Sequence, residues 1–453
     1  MLRRIGLSNF KCWRELDIEL APITLLFGAN SSGKTAILQS LLMLKQTARG
    51  FDPGQHINFG DGDRDYVNLG SYRDLAYRHD ERNSVEMNVK WDSRTGISWQ
   101  TTDGETGASY VREIKSSKPI NYNVSWAYSD QISIHFLGYS VCTANRKTEN
   151  LEIEKNTATG AYVARVFQPP QSNDLATAII TSPPESCFVF PDKMLIQFPI
   201  DVQRFAAFYM REFEEFTDRL MYLAPLRAAF KRQYFWTGGK PKIVAPDGAN
   251  SIDFLISSVR DDRQLLEEVE DLLRSLAVVE AFDVKSIDRN ERLYEATATI
   301  AGVESSLSDV GFGISQVLPV ITMLMSAPEG SIILLEQPEL HLHPNAQAAL
   351  ADLMLEVAET RNLQLIVESH SEHIVRRLQR RIAEASPAFA TPENIKMYYC
   401  QPGEGGATID EVDMDRFGQI SNWPEKFLGD ISGDIHSMSK AAFKRLHQER
   451  VGV

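Results

Sequence analysis

One segment constrains this chain more than any other: Gly28-Ala29-Asn30-Ser31-Ser32-Gly33-Lys34-Thr35, which satisfies G-x-x-x-x-G-K-[ST] at every fixed position. Before it runs Ile23-Thr24-Leu25-Leu26-Phe27, an unbroken apolar stretch that reads as a strand buried on both faces. After it, Ile37, Leu38, Leu41, Leu42 and Leu44 fall at helical spacing. A buried strand that feeds a glycine-rich turn and then a helix aims backbone N–H groups and the positive helix end at one anion. The chain is therefore expected to be an α/β protein with a phosphate cradle lined by Asn30, Ser31, Ser32, Gly33, Lys34 and Thr35. In such a cradle the lysine meets the β- and γ-phosphates and the threonine hydroxyl turns to Mg²⁺. The expected cofactors are a nucleoside triphosphate, ATP or GTP, and Mg²⁺, since the loop does not read the base.

Three further segments follow in a set order. Ser308-Asp309-Val310-Gly311-Phe312-Gly313-Ile314-Ser315-Gln316 places glycines and small polar residues before a helix, a second anion-binding helix start. Ile332-Ile333-Leu334-Leu335-Glu336-Gln337-Pro338 is an apolar strand ending in a carboxylate, as in a Walker B strand. Leu365-Ile366-Val367-Glu368-Ser369-His370-Ser371 is another buried strand, and it delivers His370 to the sheet edge where ligands of open α/β sheets collect. His370 is a candidate γ-phosphate sensor.

Around these segments the chain divides into four stretches. Residues 1–200 carry the phosphate loop, a β-hairpin (Ile5–Lys11, Leu16–Leu20, turn near Trp13-Arg14) and, from Ser84 to Pro199, alternating strands of an antiparallel region. Residues 201–300 read as a mainly helical insertion, with apolar spacing over Phe205–Leu223 and Arg263–Leu276. Residues 301–400 alternate strand and helix, and 401–453 form a C-terminal extension containing Trp423, Pro424, Phe427 and Phe443, helical from about Asp434. No apolar heptad pattern is sustained, so long coiled-coil arms are not expected.

Composition narrows the partners. No stretch approaches the roughly 18 apolar residues of a membrane span, and the start Met1–Arg4 runs into a strand-like segment; the expected location is the cytoplasm and no membrane partner is expected. Cys12, Cys142, Cys187 and Cys400 form no CxxC pair, and His341, His343, His370 and His373 complete no zinc quartet. The formal net charge of −14 opposes diffuse binding to DNA. Two basic clusters, Arg376-Arg377-Arg380-Arg381 and Arg227-Lys231-Arg232 beside Tyr234 and Trp236, read either as solvated or phosphate-facing surfaces or as a nucleic-acid groove.

The order phosphate loop, signature, Walker B strand, histidine resembles ABC-type ATPases, and in particular the overcoming-lysogenization-defect, RecF and SMC-like group. The resemblance covers roughly residues 1–75 and 300–380. It implies a P-loop NTPase with a two-lobed head in which Gly311, Gly313 and Ser315 meet the γ-phosphate bound by a second copy, two sites lying between two head-to-tail subunits of a dimer or higher oligomer. Asn9-Phe10-Lys11, the run Glu336 to Pro344 and Trp423-Pro424 also resemble stand-alone anti-phage defence ATPases such as the PtuA subunit of Septu. That likeness implies a separate effector, an HNH nuclease; longer members of the group carry their own nuclease module, which this chain is not expected to contain. The acidic loop Asp410, Glu411, Asp413, Asp415 reads as a solvated turn.

Two departures bear on catalysis. The group's usual Walker B strand ends in Asp-Glu, whereas this chain has Glu336 and Gln337. Glu336 remains a hard carboxylate for Mg²⁺. Gln337 can orient water but cannot take its proton, so turnover is expected to be slow, with Glu339, His370 or Glu368 as further groups at hand. Catalytic candidates are Glu336, Gln337 and His370; the metal candidates are Thr35 and Glu336. The expected function is a slowly hydrolysing ATPase that regulates a separate nuclease in anti-phage defence; the alternative is a DNA repair or maintenance ATPase that grips DNA itself.

Overall fold

The computed structural model describes residues 1–50, 55–60, 65–102, 109–114, 118–142, 148–167, 176–180, 183–198, 200–423, 438 and 440. In chain order, β1 (Leu2–Phe10) and β2 (Trp13–Glu19) form a hairpin, β3 (Ile23–Gly28) enters the glycine-rich turn and α1 (Lys34–Arg49) leaves it. There follow α2 (Tyr72–Leu75) and the strands β4 (Val85–Asp92), β5 (Ile97–Thr102), β6 (Ser109–Ile114), β7 (Pro119–Tyr128), β8 (Ile132–Cys142), β9 (Thr148–Lys155), β10 (Tyr162–Phe167) and β11 (Ala176–Ile180). Next come α3 (Asp192–Leu195), α4 (Ile200–Arg219), β12 (Leu220–Leu223), β13 (Tyr234–Phe235), α5 (Ser251–Asp261), α6 (Gln264–Ser275), β14 (Ala281–Ser286), β15 (Leu293–Ile300) and β16 (Val303–Ser306). The last stretch holds α7 (Phe312–Ser326), β17 (Ile332–Glu336), α8 (Pro344–Thr360), β18 (Gln364–Glu368), α9 (Glu372–Glu384), β19 (Ile395–Gln401) and β20 (Thr408–Glu411).

Two large sheets organise the molecule. An antiparallel sheet runs β11-β10-β9-β8-β7-β4-β1-β2, and a six-stranded sheet runs β12-β17-β18-β3-β19-β20, parallel except for β20 at its edge. Every residue of β17 and β18 is buried, as the apolar runs require of strands covered on both faces. Alternation then distributes side chains to two cores: Ile332 and Leu334 face one with α1, α4 and the antiparallel sheet, while Ile333 and Leu335 face the other with α5 to α9. The mixed α/β fold with an antiparallel lobe is as expected, and among the described residues the longest helix is α4, with 20 residues, so no coiled-coil arm appears there. No helix of the described residues is long and apolar enough to cross a membrane.

Two local expectations change. The hairpin turns at Lys11-Cys12, not near Trp13-Arg14, because Trp13 is drawn fully into the core and so belongs to β2. The stretch 201–300 mixes strands with its helices. The apolar spacing of α4 continues without a break into Leu220–Leu223, but β17 offers that segment a parallel ladder, and it becomes the edge strand β12. Residues 281–300 pair as the hairpin β14-β15. α4 itself belongs with the antiparallel lobe: Phe216 stacks on Trp91 at 4.6 Å and Phe213 on Phe188 at 4.9 Å.

Residues up to Trp423 fold back onto α9, where Gln379 Nε2 donates to Gly418 O at 2.8 Å and Arg376 lies over the Trp423 ring at 5.0 Å. Pro424, Phe427, Phe443 and most of the stretch from Asp434 onward lie outside the described residues.

Candidate functional site

The hairpin tip builds the floor of the phosphate loop. Trp13 Nε1 donates to Gly33 O at 3.1 Å, and a Cβ on Gly33 would stand 2.6 Å from Cys12 Sγ and 2.8 Å from the Trp13 ring. With φ at +93°, position 33 thus excludes side chains twice over, by conformation and by space. Gly28 is excluded likewise by Cys400 O on β19, which would lie 2.0 Å from its Cβ. Inside the loop, Lys34 is 3% exposed; its Nζ donates to Gly28 O at 3.1 Å and Ala29 O at 2.8 Å. Burial lowers the lysine pKa, and Glu368 opposes that shift. Ser32 Oγ is buried without a partner, while Asn30 and Ser31 face solvent. An ammonium resting on loop carbonyls, an orphan hydroxyl and a cradle that any Cβ would fill all fit a bound phosphate.

Opposite the loop, two neighbouring strands each end in a carboxylate. β17 and β18 pair in parallel with Glu336 opposite Glu368, and β18 lies between β17 and β3. Thr35 Oγ1 donates to Glu368 Oε2 at 2.7 Å, and Lys34 Nζ stands 4.0 Å from Glu368 Oε1. Glu336 looks the other way: its Oε1 accepts from Tyr222 Oη of β12 at 2.8 Å, and its carbonyl accepts from Arg227 Nη2 at 3.3 Å. Burial pushes the Glu336 carboxyl up to about 7, with the Tyr222 hydrogen bond acting against it. Arg227 Nε and Nη1 are buried with no partner.

Gln337 takes a left-handed backbone, φ 43°, and its N–H donates to Glu368 O at 2.8 Å. Glu339 clasps the end of β18, its Oε1 accepting from Ser369 Oγ at 2.8 Å and from His370 N at 2.7 Å. Ser371 then caps α9 by accepting from Ile374 N. The loop that carries His370 is thereby fastened at both ends, with the ring reaching solvent.

Gly311 caps the start of α7. A Cβ on it would meet nothing within 4 Å, and one on Gly313 would find His341 O at 3.6 Å. Neither would meet its own chain's phosphate loop within that distance, and Gly313 lies beside the turn that follows β17. Ser315 lies one turn further on in α7, half-buried. His341 sits in that turn with φ 60° and His343 caps α8; among the described residues no group of three or more His, Cys, Asp or Glu gathers as a metal set. A Mg²⁺ at Thr35 would thus rest on one hydroxyl, a carboxylate and nucleotide phosphates, a donor set that suits that ion.

The basic clusters are largely neutralised. On α9, Arg377 and Arg381 pair with Asp352 of α8, Arg376 with Glu372 and Arg380 with Glu384; Arg232 pairs with Asp309. Of the acidic loop, Asp410 and Glu411 lie on β20, with Glu411 accepting from Tyr398 and pairing with Lys396, while Asp415 accepts from Phe417 N and Gln419 N. Tyr222 and Arg227 entered the site without a sequence signal of their own beyond the basic cluster.

A family model described as AAA ATPase domain matches residues 1–182 and 206–375, and one described as a protein of unknown function (DUF3696) matches residues 391–438. Among curated proteins, the chain is 42% identical over 41 residues to the OLD nuclease of Thermus scotoductus, a match that spans 9% of this chain and 8% of that protein. Among solved structures it is similar to an SMC head bound to the C-winged helix domain of ScpA (TM-score 0.43, 11% identity, 92% of this chain and 98% of that one). It is also similar to the SMC head domain from Thermotoga maritima (TM-score 0.34, 10% identity, 91% and 99%) and to an Smc head with an extended coiled coil, bound to the C-terminal domain of ScpA, derived from Pyrococcus furiosus (TM-score 0.43, 10% identity, 91% and 96%).

Proposed function

The chain belongs to the AAA ATPase domain family, and from that premise we propose that it is an ATP-held switch that hydrolyses slowly and governs a separate effector. The observation that carries this reading is the end of β17, where an amide, Gln337, occupies the place next to the phosphate loop's partner strand at which a proton acceptor is usual. An amide orients water without accepting its proton, so the bound triphosphate persists. Lys34 holds the phosphates and Thr35 the Mg²⁺, which supplies charge neutralisation on the β- and γ-oxygens when bound.

Head-to-tail pairing is supported by Gly311, whose open surroundings leave the start of α7 ready for the phosphate of a second copy. The effector we propose is a nuclease of the HNH kind in an anti-phage system; the PtuA-like sequence features and the short match to a protein described as a nuclease support this. The ion-paired arginines of α9 and the net charge of −14 favour this regulatory reading over direct gripping of DNA.

The test is Mg-ATP retained through gel filtration, with mass, beside steady-state phosphate release. Wild type is expected to keep ATP as a dimer or larger and to release phosphate slowly, with Gln337→Glu faster. A monomer that retains no ATP yet hydrolyses quickly would overturn the switch.

A further inference from the structure

We infer that Glu368, and not Glu336, is the carboxylate on the metal side of this nucleotide site, so that the metal-side acid stands at the end of β18 and not at the end of β17. The inference rests on the nucleotide-binding reading above and assigns the role within it.

Register is the first reason. β18 is the neighbour of β3, and its last residue, Glu368, stands beside Leu26, two residues before the phosphate loop begins. The parallel register sets Glu336, Glu368 and Leu26 abreast, so all three side chains leave the same face of the sheet, the face on which α1 begins with Lys34 and Thr35.

Hydrogen bonding is the second. A threonine hydroxyl that offers a lone pair to a cation must send its proton elsewhere, and Thr35 sends it to Glu368 at 2.7 Å. That bond leaves the lone pairs of the hydroxyl oxygen free for a cation, and the carboxylate adds the negative charge that magnesium sites take from protein. Glu336 is engaged from the opposite side by Tyr222, which fixes it toward the sheet's far edge.

The residues that follow each carboxylate agree with this division. Gln337 donates its N–H to Glu368 O, and Glu339 fastens Ser369 and His370, so the end of β18 is held from β17 at two points. A carboxylate that positions a metal needs this kind of backing, because its supporting partners fix its orientation.

The experiment compares wild type, Glu368→Gln, Glu368→Asp and Glu336→Gln as full chains. Two quantities are read: binding of a fluorescent ATP analogue as a function of Mg²⁺ concentration and in EDTA, and Mn²⁺ affinity by electron paramagnetic resonance in the presence of ATP. Glu368→Gln is expected to raise the half-saturating metal concentration by at least about tenfold while leaving nucleotide affinity in EDTA nearly unchanged. Glu368→Asp, which keeps the charge and guards against a folding defect, should fall in between, and Glu336→Gln should stay within about threefold of wild type. The inference is overturned if Glu336→Gln carries the large metal shift, or if Glu368→Gln weakens binding equally with and without metal. If wild type binds no nucleotide under any condition, the nucleotide reading itself falls, and this assignment with it.

Discussion

β17 and β18 end side by side, matched residue for residue and buried along their whole length, yet their last carboxylates serve different neighbours. Glu368 faces inward to Thr35 and Lys34 of the phosphate loop, whereas Glu336 faces outward to Tyr222 on the edge strand β12. Beyond them the contrast continues: β18 runs into a loop clasped by Glu339 and capped by Ser371, while β17 runs into Gln337 in a left-handed conformation. A motif's position along the chain identifies a strand, but strand order in the sheet decides which side chain faces the phosphate loop.

The comparison breaks most sharply at the loop. Lys34→Ala is expected to weaken ATP retention by about 100-fold or more, since a charge-assisted contact to phosphate is lost at the β18 side of the site. Tyr222→Phe, on the β17 side, should change retention by no more than about threefold. Equal losses in equilibrium binding would show that the two strand ends form one undivided site.

Gln337→Glu comes next. It restores a proton acceptor at the end of β17, and steady-state phosphate release should rise about tenfold, within the range that a positioned general base contributes. Arg227, with two unpaired buried N–H donors beside Glu336, gives a new carboxylate at 337 a nearby counter-charge. Unchanged turnover would move the attacking water away from β17 altogether.

Much of this frame was legible in the sequence because it is written locally. The phosphate loop, the buried runs that become β3, β17 and β18, and the helices α1, α8 and α9 each announce themselves within about twenty residues by pattern alone. What was not legible depends on partners distant in the chain. Leu220–Leu223 continues the apolar spacing of α4, and only β17, more than a hundred residues later, makes it a strand; Tyr222 could not be placed beside Glu336 without it. Arg377 and Arg381 look like bare cations until α8 brings Asp352 to them. Glu368 stood in the sequence as one further acid, and the order β17-β18-β3 gave it Thr35.

The smallest expected effect concerns protons on Glu336. Burial raises its carboxyl to about 7 in the folded chain, against 4.5 for the ordinary group. Between those values the native protein keeps a proton that the unfolded chain has released, so stability falls as pH rises from about 4.5 to 7 and levels off above. Glu339 and Glu368, also raised by burial, slope the same way. The signature of Glu336 is therefore a difference: wild type should lose roughly 1 kcal/mol more than Glu336→Gln between pH 6 and 7, measured by denaturant unfolding without nucleotide. The amide still accepts from Tyr222 but cannot ionise, so the comparison leaves the hydrogen bond in place and removes only the titration. Parallel slopes in the two proteins would mean that Glu336 is already ionised at pH 6, and that the two strand ends differ less in their electrostatics than in their partners.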